Sequence, residues 1–237
     1  MMLYAMSERG MDMDRNEAFP AAQIAAVSAR LAWASLQLTV EKIGELQVLV
    51  DGQDADVEAL RVVCSGDRLL IEQPVHGVSL TMVTGHWMQI RVRVPEDWKG
   101  SVDLSTSSGP VTVQGISATT CRLATVNGPL TAHGVVCEEL DLRTVNGLAK
   151  VEACEALRVH MNSVNSDWPV TLTAPFEQVD ANTVTGSLVL TAPVTSVRCG
   201  YHTVTGRLHT LGVSLQDSGA SVTMDSVSGD LSIGCAQ

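Results

Sequence analysis

The chain is poor in aromatic residues, which limits how its core can be built. Phe, Trp and Tyr together make up 3% of its 237 residues, although 45% of the residues are hydrophobic. Such a core must be filled mainly by Val, Leu, Ile, Ala and Thr, and the β-branched members of this set pack well on pleated strands. A chain of this length can form one large β domain or two small ones.

The chain has no run of Lys or Arg and no long apolar segment. Its net charge is −11 and its pI is about 4.8. Nucleic acids and anionic membranes attract clustered cations, so we predict that neither is a partner. Residues 24–38 form the longest apolar stretch, which is too short and too polar for membrane insertion. Residues 1–20 lack the apolar region of a signal peptide, so we predict a cytoplasmic location, with a surface location requiring a non-standard export route.

Motifs for metal binding, redox chemistry and nucleophilic catalysis are missing from the sequence. It contains no CxxC, HExxH, P-loop or GxSxG motif. The cysteines can be read as buried thiols that act as small hydrophobic side chains, while their even number leaves disulfides open. They are Cys64, Cys121, Cys137, Cys154, Cys199 and Cys235. The sequence therefore predicts no catalytic residue, no cofactor and no metal ligand.

A short phrase recurs seven times in the second half of the chain. The phrases end at positions 109, 128, 147, 166, 186, 206 and 229, so successive steps are 19, 19, 19, 20, 20 and 23. They read Thr-Ser-Ser-Gly, Thr-Val-Asn-Gly (twice), Ser-Val-Asn-Ser, Thr-Val-Thr-Gly (twice) and Ser-Val-Ser-Gly. Internal repetition of this kind indicates a stack of similar structural units.

Apolar residues alternate with polar ones on both sides of each phrase. Before the phrase stand apolar pairs such as Val102 and Leu104, and after it stand pairs such as Val111 and Val113. A period of two indicates strands with one buried face, and the fixed Gly between them fits a corner that needs a positive φ. Each unit is therefore predicted to be a strand, a sharp corner, a second strand and a less regular return.

We predict an all-β fold, a single-stranded parallel β-helix (β-solenoid) with about 19–20 residues per coil and an irregular N-terminal cap. Stacked coils place equivalent residues in columns, so the corner should show Asn127, Asn146 and Asn165, then Thr185, Thr205 and Ser228. The longer last step leaves open a loop or a rearranged coil. A propeller blade would need about 40 residues and a sandwich a turn about every 8–12 residues, so both rival folds fit less well.

Domain boundaries follow from where the repeat begins. Residues 1–19 are predicted to be a disordered leader, and residues 20–237 a single β-solenoid domain. Within that domain, residues 20–95 should form irregular strands and the cap, and residues 96–237 the regular coils. Pro95 directly precedes the first regular coil.

The chain resembles a bacterial family of β-strand-repeat proteins of unknown function, whose members are labelled as adhesins. The resemblance rests on Arg91-Val-Arg-Val-Pro95, on Val102-Asp-Leu-Ser-Thr-Ser-Ser-Gly109 and on the Thr-Val-Asn-Gly repeats. It extends over residues 22–235. It implies a β-helical fold and supplies no catalytic residues.

One outward column of the predicted stack alternates in charge, with Asp103, Arg122, Asp141, His160 and Asp180 on successive coils. It can be read as a surface ladder that sets the register, because neighbours of opposite sign lie about 5 Å apart. It can also be read as a carbohydrate site, since Asp141 and Asp180 would lie roughly 9–10 Å apart, near the upper spacing for an inverting glycosidase.

Two further features are open to a functional reading. Cys199, His202 and His209 are close in sequence, but alternation turns the first inward and the second outward, which argues against a metal site. Trp168 follows the unusual Ser166 in a column of small aliphatic residues. It can be a bulky core residue in a wider coil, or part of a bulge that faces a partner.

The function predicted from the sequence is that of a non-catalytic structural or interaction protein, an adhesin-like β-solenoid scaffold. Its partner would be a protein or a polysaccharide, or it would self-associate. The alternative is a carbohydrate-active β-helix enzyme, a glycosidase or a lyase, built on the same scaffold. An enzyme requires a concave cleft with convergent carboxylates, so the surface distinguishes the two.

Overall fold

The computed structural model describes residues 15–52, 54–74 and 87–236 and is built almost entirely of strands. The all-β prediction is therefore confirmed. One α-helix, α1 (Asp54–Ala59), and a 3-10 helix, Ala21–Gln23, are the helical elements of the described residues. The strands are β1 (Arg15–Phe19), β2 (Ala26–Trp33), β3 (Ser35–Glu41), β4 (Leu46–Gly52), β5 (Arg61–Ser65), β6 (Arg68–Glu72), β7 (Met88–Pro95), β8 (Ser101–Ser108), β9 (Val111–Gln114), β10 (Ser117–Asn127), β11 (Leu130–His133), β12 (Val136–Asn146), β13 (Ala149–Asn162), β14 (Trp168–Leu172), β15 (Gln178–Thr185), β16 (Leu188–Ala192), β17 (Ser196–His202), β18 (Leu208–Leu211), β19 (Ser214–Leu215), β20 (Ser221–Ser228) and β21 (Leu231–Cys235).

The strands form two long ladders that enclose the core. The front sheet has the order β5-β6-β2-β8-β10-β12-β13-β15-β20-β17. The back sheet has the order β1-β4-β7-β3-β9-β11-β13-β14-β16-β21-β18. Strand β13 belongs to both sheets, and the chain bends within it near Ala153, which has a φ of +50°.

Neighbouring coils pair in parallel with the register that the repeat predicts. Cys121 lies opposite Leu140, and Val159 lies opposite Val179, so in each pair the partners stand one repeat unit apart in the sequence. The predicted inward columns are buried in the interior coils, with Leu104, Leu123 and Leu142 at most 1% exposed. Equivalent positions therefore stack, as expected of a β-solenoid-like fold.

The coils do not stack in chain order at the C-terminal end. Val179 lies opposite Val222, two repeat units further on, and Val222 lies opposite Cys199 on its other side. The coil of residues 221–235 is thus inserted between the coils of residues 178–192 and 196–211. The expected order Thr185, Thr205, Ser228 is wrong, because the corner column runs Thr185, Ser228, Thr205. The longer last step of the repeat therefore leads into a rearranged coil.

The N-terminal end shows a matching rearrangement. Strand β2 pairs with β6 on one side and with β8 on the other. The first coil of the chain, which contains β2, therefore lies in the interior of the stack, with later strands of the cap outside it. The connection from β7 back to β8 is held by Trp98, whose buried indole donates a hydrogen bond to the Ile24 carbonyl at 2.7 Å. A continuous single-stranded helix is therefore not confirmed. The outermost strands β1 and β5 are antiparallel to their neighbours and close this end.

The start of the described chain departs from the predicted leader. Arg15–Phe19 form β1, which pairs with β4, although the predicted leader extends to residue 19. Arg15 is anchored because its guanidinium donates to the Leu60 carbonyl at 2.6 Å. Residues 1–14, which make up the rest of the predicted leader, lie outside the described residues.

The glycines that end six of the seven phrases allow the coils to approach closely at the corner. A Cβ on Gly147 would lie 2.1 Å from the carbonyl oxygen of Gly128, and one on Gly128 would lie 2.2 Å from that of Gly109. Both have a positive φ, +147° and +155°, as the sequence predicts. Glycine is therefore required there by conformation and by space.

Candidate functional site

The front sheet presents an apolar column to solvent, formed by the valine that six of the seven phrases contain. Its members in spatial order are Val126, Val145, Val164, Val184, Val227 and Val204. Their exposed fractions lie between 36% and 52%, except for Val204 at 79%. Six rungs at about 4.8 Å per rung give this column, here called the valine column, a length of about 24 Å.

Backbone pairing at the corner holds the valine column in line. The Val145 carbonyl accepts a hydrogen bond from the Asn165 amide, and the Val164 carbonyl accepts one from the Thr185 amide, both at 2.8 Å. Alternation along each strand would place a polar residue at this outward position, and valine there is the exception. The repeat predicts that Val126, Val145 and Val164 stack in one column, and this is found. Their role as a candidate binding surface was not predicted, although the signal, an apolar residue at an outward position, is present in most of the phrases.

A shallow groove of about 770 Å³ is lined in part by Val126, Val145 and Val164 and extends from the valine column toward the cap. Its lining includes small side chains from β2, β8 and β10, namely Ala32, Ser105, Ser107 and Ala124. Larger residues stand on the rungs to either side, including Arg30 and Glu72 toward the cap and Arg143 and Val145 beyond. The sequence could not locate this groove, because the neighbouring coil of β2 comes from a part of the chain outside the repeat.

The charged column predicted from the sequence is present on the same face. Arg122 lies opposite Asp103 on one side and Asp141 on the other, and His160 lies opposite Asp180. Asp141 is nearly buried, with 6% of its side chain exposed, and forms an ion pair with Arg143 at 2.7 Å. This contact raises the pKa of Arg143 further above its ordinary value. Within the column itself, Arg122 lies 3.9 Å from Asp141 and His160 lies 3.3 Å from Asp180, which fits a ladder that sets the register.

Asp141 and Asp180 are both engaged by neighbouring side chains. Asp141 accepts hydrogen bonds from Nε and Nη2 of Arg143. Asp180 lies 3.3 Å from His160 Nδ1 and accepts a hydrogen bond from Gln178 Nε2 at 2.6 Å. Neither carboxylate lines the groove described above. These contacts favour the structural reading of the column over the glycosidase reading.

Stacked amides form a second ladder at the corner. Asn146 Nδ2 donates to Asn127 Oδ1, and Asn165 Nδ2 donates to Asn146 Oδ1, both at 3.1 Å. The predicted asparagine column is thus confirmed for its first three members. Because this ladder borders the valine column, the apolar stripe lies between rows of polar groups.

Cys199, His202 and His209 are not brought together. Cys199 is half-buried on β17, His202 points outward from the same strand toward Asp225 at 3.0 Å, and His209 lies on the back sheet. Within the described ranges, no three His, Cys, Asp or Glu side chains are grouped so that they could hold a metal ion.

Trp168 is a core residue and forms no partner-facing bulge. It is 1% exposed, and its indole Nε1 donates a hydrogen bond to Ser163 Oγ at 3.2 Å. Ser166, the serine that replaces glycine at this corner, is also buried. The wider-coil reading of this rung is therefore supported.

All six cysteines are free thiols. Cys121, Cys137 and Cys154 are buried, whereas Cys64 is exposed. Burial raises the pKa of Cys137 to about 12 and also raises the pKa values of Cys121 and Cys154. These three thiols act as small core side chains, because a thiolate is disfavoured there.

Known proteins share this architecture of repeated coils stacked in two sheets. Residues 31–237 match the Toastrack DUF4097 family. The chain belongs to this family. Membership confirms the resemblance to β-strand-repeat proteins of unknown function. No curated protein matches the sequence. Across residues 15–52, 54–74 and 87–236, no helix is long and apolar enough to cross a membrane.

Several solved structures are similar to this Toastrack chain. A candidate adhesin from Bacteroides fragilis has 15% identity and a TM-score of 0.52, and the match covers 92% of this chain and 96% of that one. A candidate adhesin from Parabacteroides distasonis has 13% identity and a TM-score of 0.48, with 92% and 96% covered. A candidate lipid-binding protein from Parabacteroides distasonis has 11% identity and a TM-score of 0.47, with 94% and 96% covered. At such identities, the first similarity shows the fold alone.

Proposed function

We propose that this Toastrack protein is a non-catalytic interaction protein, an adhesin-like scaffold that binds a protein or polysaccharide partner along the valine column. The observation that carries the proposal is an unbroken line of six exposed valines on an otherwise polar sheet face. Contiguous apolar surface bordered by polar groups is typical of interaction sites on soluble proteins. The adhesin description of the structural neighbour from Bacteroides fragilis is consistent with this role.

The shape of the face supports a repetitive or extended partner. The valine column runs across the strands, so each rung offers the same contact at intervals of about 4.8 Å. The groove beside Ala124 extends this surface toward the cap. A polymer or a flat protein surface would meet several rungs at once, and individually weak contacts would add up.

We also infer that residues 20–237 act as one solenoid domain and that its regular coils form a parallel β-helix with one repeat unit per coil. One continuous cluster of buried residues from Ile24 to Ile233 supports a single domain. Direct pairing between residues one repeat unit apart supports the helix. The cytoplasmic location stays a prediction.

A carbohydrate-active enzyme is the second candidate, and one observation favours it. Asp141 and Asp180 lie on the same outward column with one coil between them, since Asp141 is opposite His160 and His160 is opposite Asp180. The contacts of both carboxylates count against this reading, because an acid–base pair must be free to exchange protons with a substrate.

The experiment measures binding of the purified protein to immobilised bacterial envelope fractions, either intact or treated with protease or periodate. The test variant carries Val126→Thr, Val145→Thr and Val164→Thr, which keep the β-branched shape but add a hydroxyl to each rung. We expect a loss of binding of about tenfold or more, because the removed contacts are apolar and repeated. Loss of binding after protease treatment would identify a protein partner, and loss of binding after periodate treatment would identify a polysaccharide partner.

The control variant is Val189→Thr, since Val189 is 49% exposed but lies on the back sheet. It should bind as the unaltered protein does. Equal binding by the triple variant would refute the role of the valine column. Turnover of a polysaccharide, abolished by both Asp141→Asn and Asp180→Asn, would refute the non-catalytic role.

A further inference from the structure

The last coil of the stack, residues 196–211, has an open outer edge. Strands β17 and β18 pair on their inner side with β20 and β21. On the outer side, the described residues pair with this coil only where β19 lies opposite Ser196 and Val197. The Arg198 amide donates to the Ala220 carbonyl on the inner side, so the alternating amides of Cys199 and Tyr201 point outward. Unpaired edges of this kind are templates for an added strand.

Side chains at this edge are less buried than their equivalents in the interior. Val222 and Leu231 are fully buried in the inserted coil, whereas Cys199 and Leu208, their neighbours in the last coil, are only half-buried. Leu211 is 79% exposed. An added strand would therefore bury apolar surface in addition to pairing the backbone.

Several basic residues of the stack lie opposite acidic ones on the neighbouring coil, which indicates the charge that an added strand should carry. Arg158 lies opposite Glu139, and His160 lies opposite both Asp141 and Asp180. In the last coil, His202 lies over Asp225, and the Arg207 amide donates a hydrogen bond to Oδ1 of Asp230 at 2.8 Å. The column of Arg158 ends on Arg198, and the column of Asp225 ends on His202, whereas the column of His160 ends on Gly200. An added strand with acidic residues would therefore face two basic side chains.

The last coil carries only basic ionisable side chains in a chain whose net charge is −11, apart from its cysteine and tyrosine. Residues 196–211 contain Arg198, His202, Arg207 and His209, and no Asp or Glu. In the described part of the chain, the side chains of Arg198 and Arg207 form no ion pair, and Asp217 in the following connection forms none either. Two such ends placed against each other would bring like charges together, which disfavours a second copy as the occupant.

We propose that the outer edge of the coil 196–211 is a docking site for an extended acidic segment of a partner protein. The segment adds as the next strand of the front sheet, pairs with the outward amides of Cys199 and Tyr201, and places carboxylates beside Arg198 and His202. Main-chain pairing supplies affinity, and the basic side chains select the partner by charge. The coil of this site also carries Val204, the last member of the valine column, but the proposed docking uses the backbone edge and the basic side chains and does not depend on the function proposed for that column.

The probe is a fluorescein-labelled peptide with the sequence of residues 221–235, in which Cys235→Ser removes the thiol. This segment already fits the inner edge of the last coil, and it carries Asp225 and Asp230. Fluorescence anisotropy with the full chain should show binding that weakens as salt is added. A peptide with D225K and D230K should bind about five to ten times more weakly, which is the effect expected of two exposed ion pairs.

The matched protein variants are Arg198→Glu with Arg207→Glu, and Lys42→Glu with Lys99→Glu as a control of equal charge change on exposed residues distant in the fold. The first should lose about five to ten times in affinity for the acidic peptide and should regain it with the lysine peptide. The control should change binding by less than about twofold. Equal binding of both peptides by the unaltered protein, or unchanged binding by the first variant, would overturn the proposal.

Hydrogen exchange distinguishes edge docking from replacement of the native coil. Docking should protect the Cys199 and Tyr201 amides and leave β20 as protected as before. Loss of protection in β20 would show that the peptide displaces residues 221–235, which contradicts the proposal. Sedimentation of the protein alone should show a monomer. If it shows a dimer, and if the variant with Arg198→Glu and Arg207→Glu is a monomer, the occupant of the edge is a second copy of the chain instead.

Discussion

Substituting alanine at a corner glycine tests the stacking of the coils most directly. In Gly147→Ala, the new Cβ would lie 2.1 Å from the Gly128 carbonyl oxygen and 2.7 Å from its carbon, both backbone atoms of the neighbouring coil. Residue 147 also has a φ of +147°, which alanine adopts only with strain. Overpacking costs about 1–3 kcal/mol and an unfavourable φ about 1–3 kcal/mol, so we expect a loss of about 3 kcal/mol in the free energy of unfolding.

Two other glycines separate these contributions. Gly115 has a φ of +71° but nothing within 4 Å of an added Cβ, so Gly115→Ala should cost about 1 kcal/mol, from the backbone alone. Gly44 has open space and no positive φ, so Gly44→Ala should be neutral or stabilise the fold by up to about 1 kcal/mol. The three variants differ by the same methyl group and therefore form an internally controlled series.

The assay is urea denaturation followed by circular dichroism, with the free energy obtained by linear extrapolation. Fluorescence of the four tryptophans, of which Trp98 and Trp168 are buried, provides a second probe, and coincident transitions would justify a two-state analysis. A loss for Gly147→Ala no larger than that for Gly115→Ala would refute the close approach of the coils at the corner.

Further predictions concern buried polar and thiol groups. Thr144 has a buried hydroxyl without a hydrogen-bond partner, so Thr144→Val should leave the free energy of unfolding unchanged or raise it by about 1 kcal/mol. Thr125 donates a hydrogen bond to the Gly109 carbonyl, so Thr125→Val should lower the free energy of unfolding by about 1 kcal/mol in the same urea assay. Cys64 should react with a thiol reagent in the native protein, and Cys137 only after unfolding, as measured by labelling and mass spectrometry. Because burial raises the pKa of Cys137 from 9.0 to about 12, its thiol loses a proton more easily in the unfolded chain between these values. The contribution of Cys137 to stability should therefore be complete below about pH 9 and fall as pH rises toward about 12, by about 1.4 kcal/mol per pH unit. Because burial also raises the pKa of Cys121 and Cys154, Cys137→Ala should reduce the overall slope by about that amount, and an unchanged slope would contradict the assignment.

The columns of the candidate site could be predicted, because the spacing of the repeat identifies the positions that are equivalent in successive coils. The charged column from Asp103 to Asp180 and the asparagine column from Asn127 to Asn165 are both expected from the sequence, and both are found. The stacking of Val126, Val145 and Val164 also follows from the repeat, but their exposure does not, because alternation identifies buried residues and these valines are its exposed exception. Identifying Trp168 as a core residue needed the three-dimensional packing, because its spacing fits both readings.

The repeat pattern alone was enough to define the architecture of each coil: two strands, a glycine corner, and a register of one repeat unit. These are local properties, set by alternation of apolar residues and by the φ that glycine permits. Which coil lies beside which was settled by packing in three dimensions. Every coil presents equivalent columns, so the coil of residues 221–235 matches either neighbour equally well in pattern, and its place between residues 178–192 and 196–211 follows from contacts among distant segments. That choice also leaves the basic coil 196–211 at the open end, a consequence that no pattern in the sequence shows.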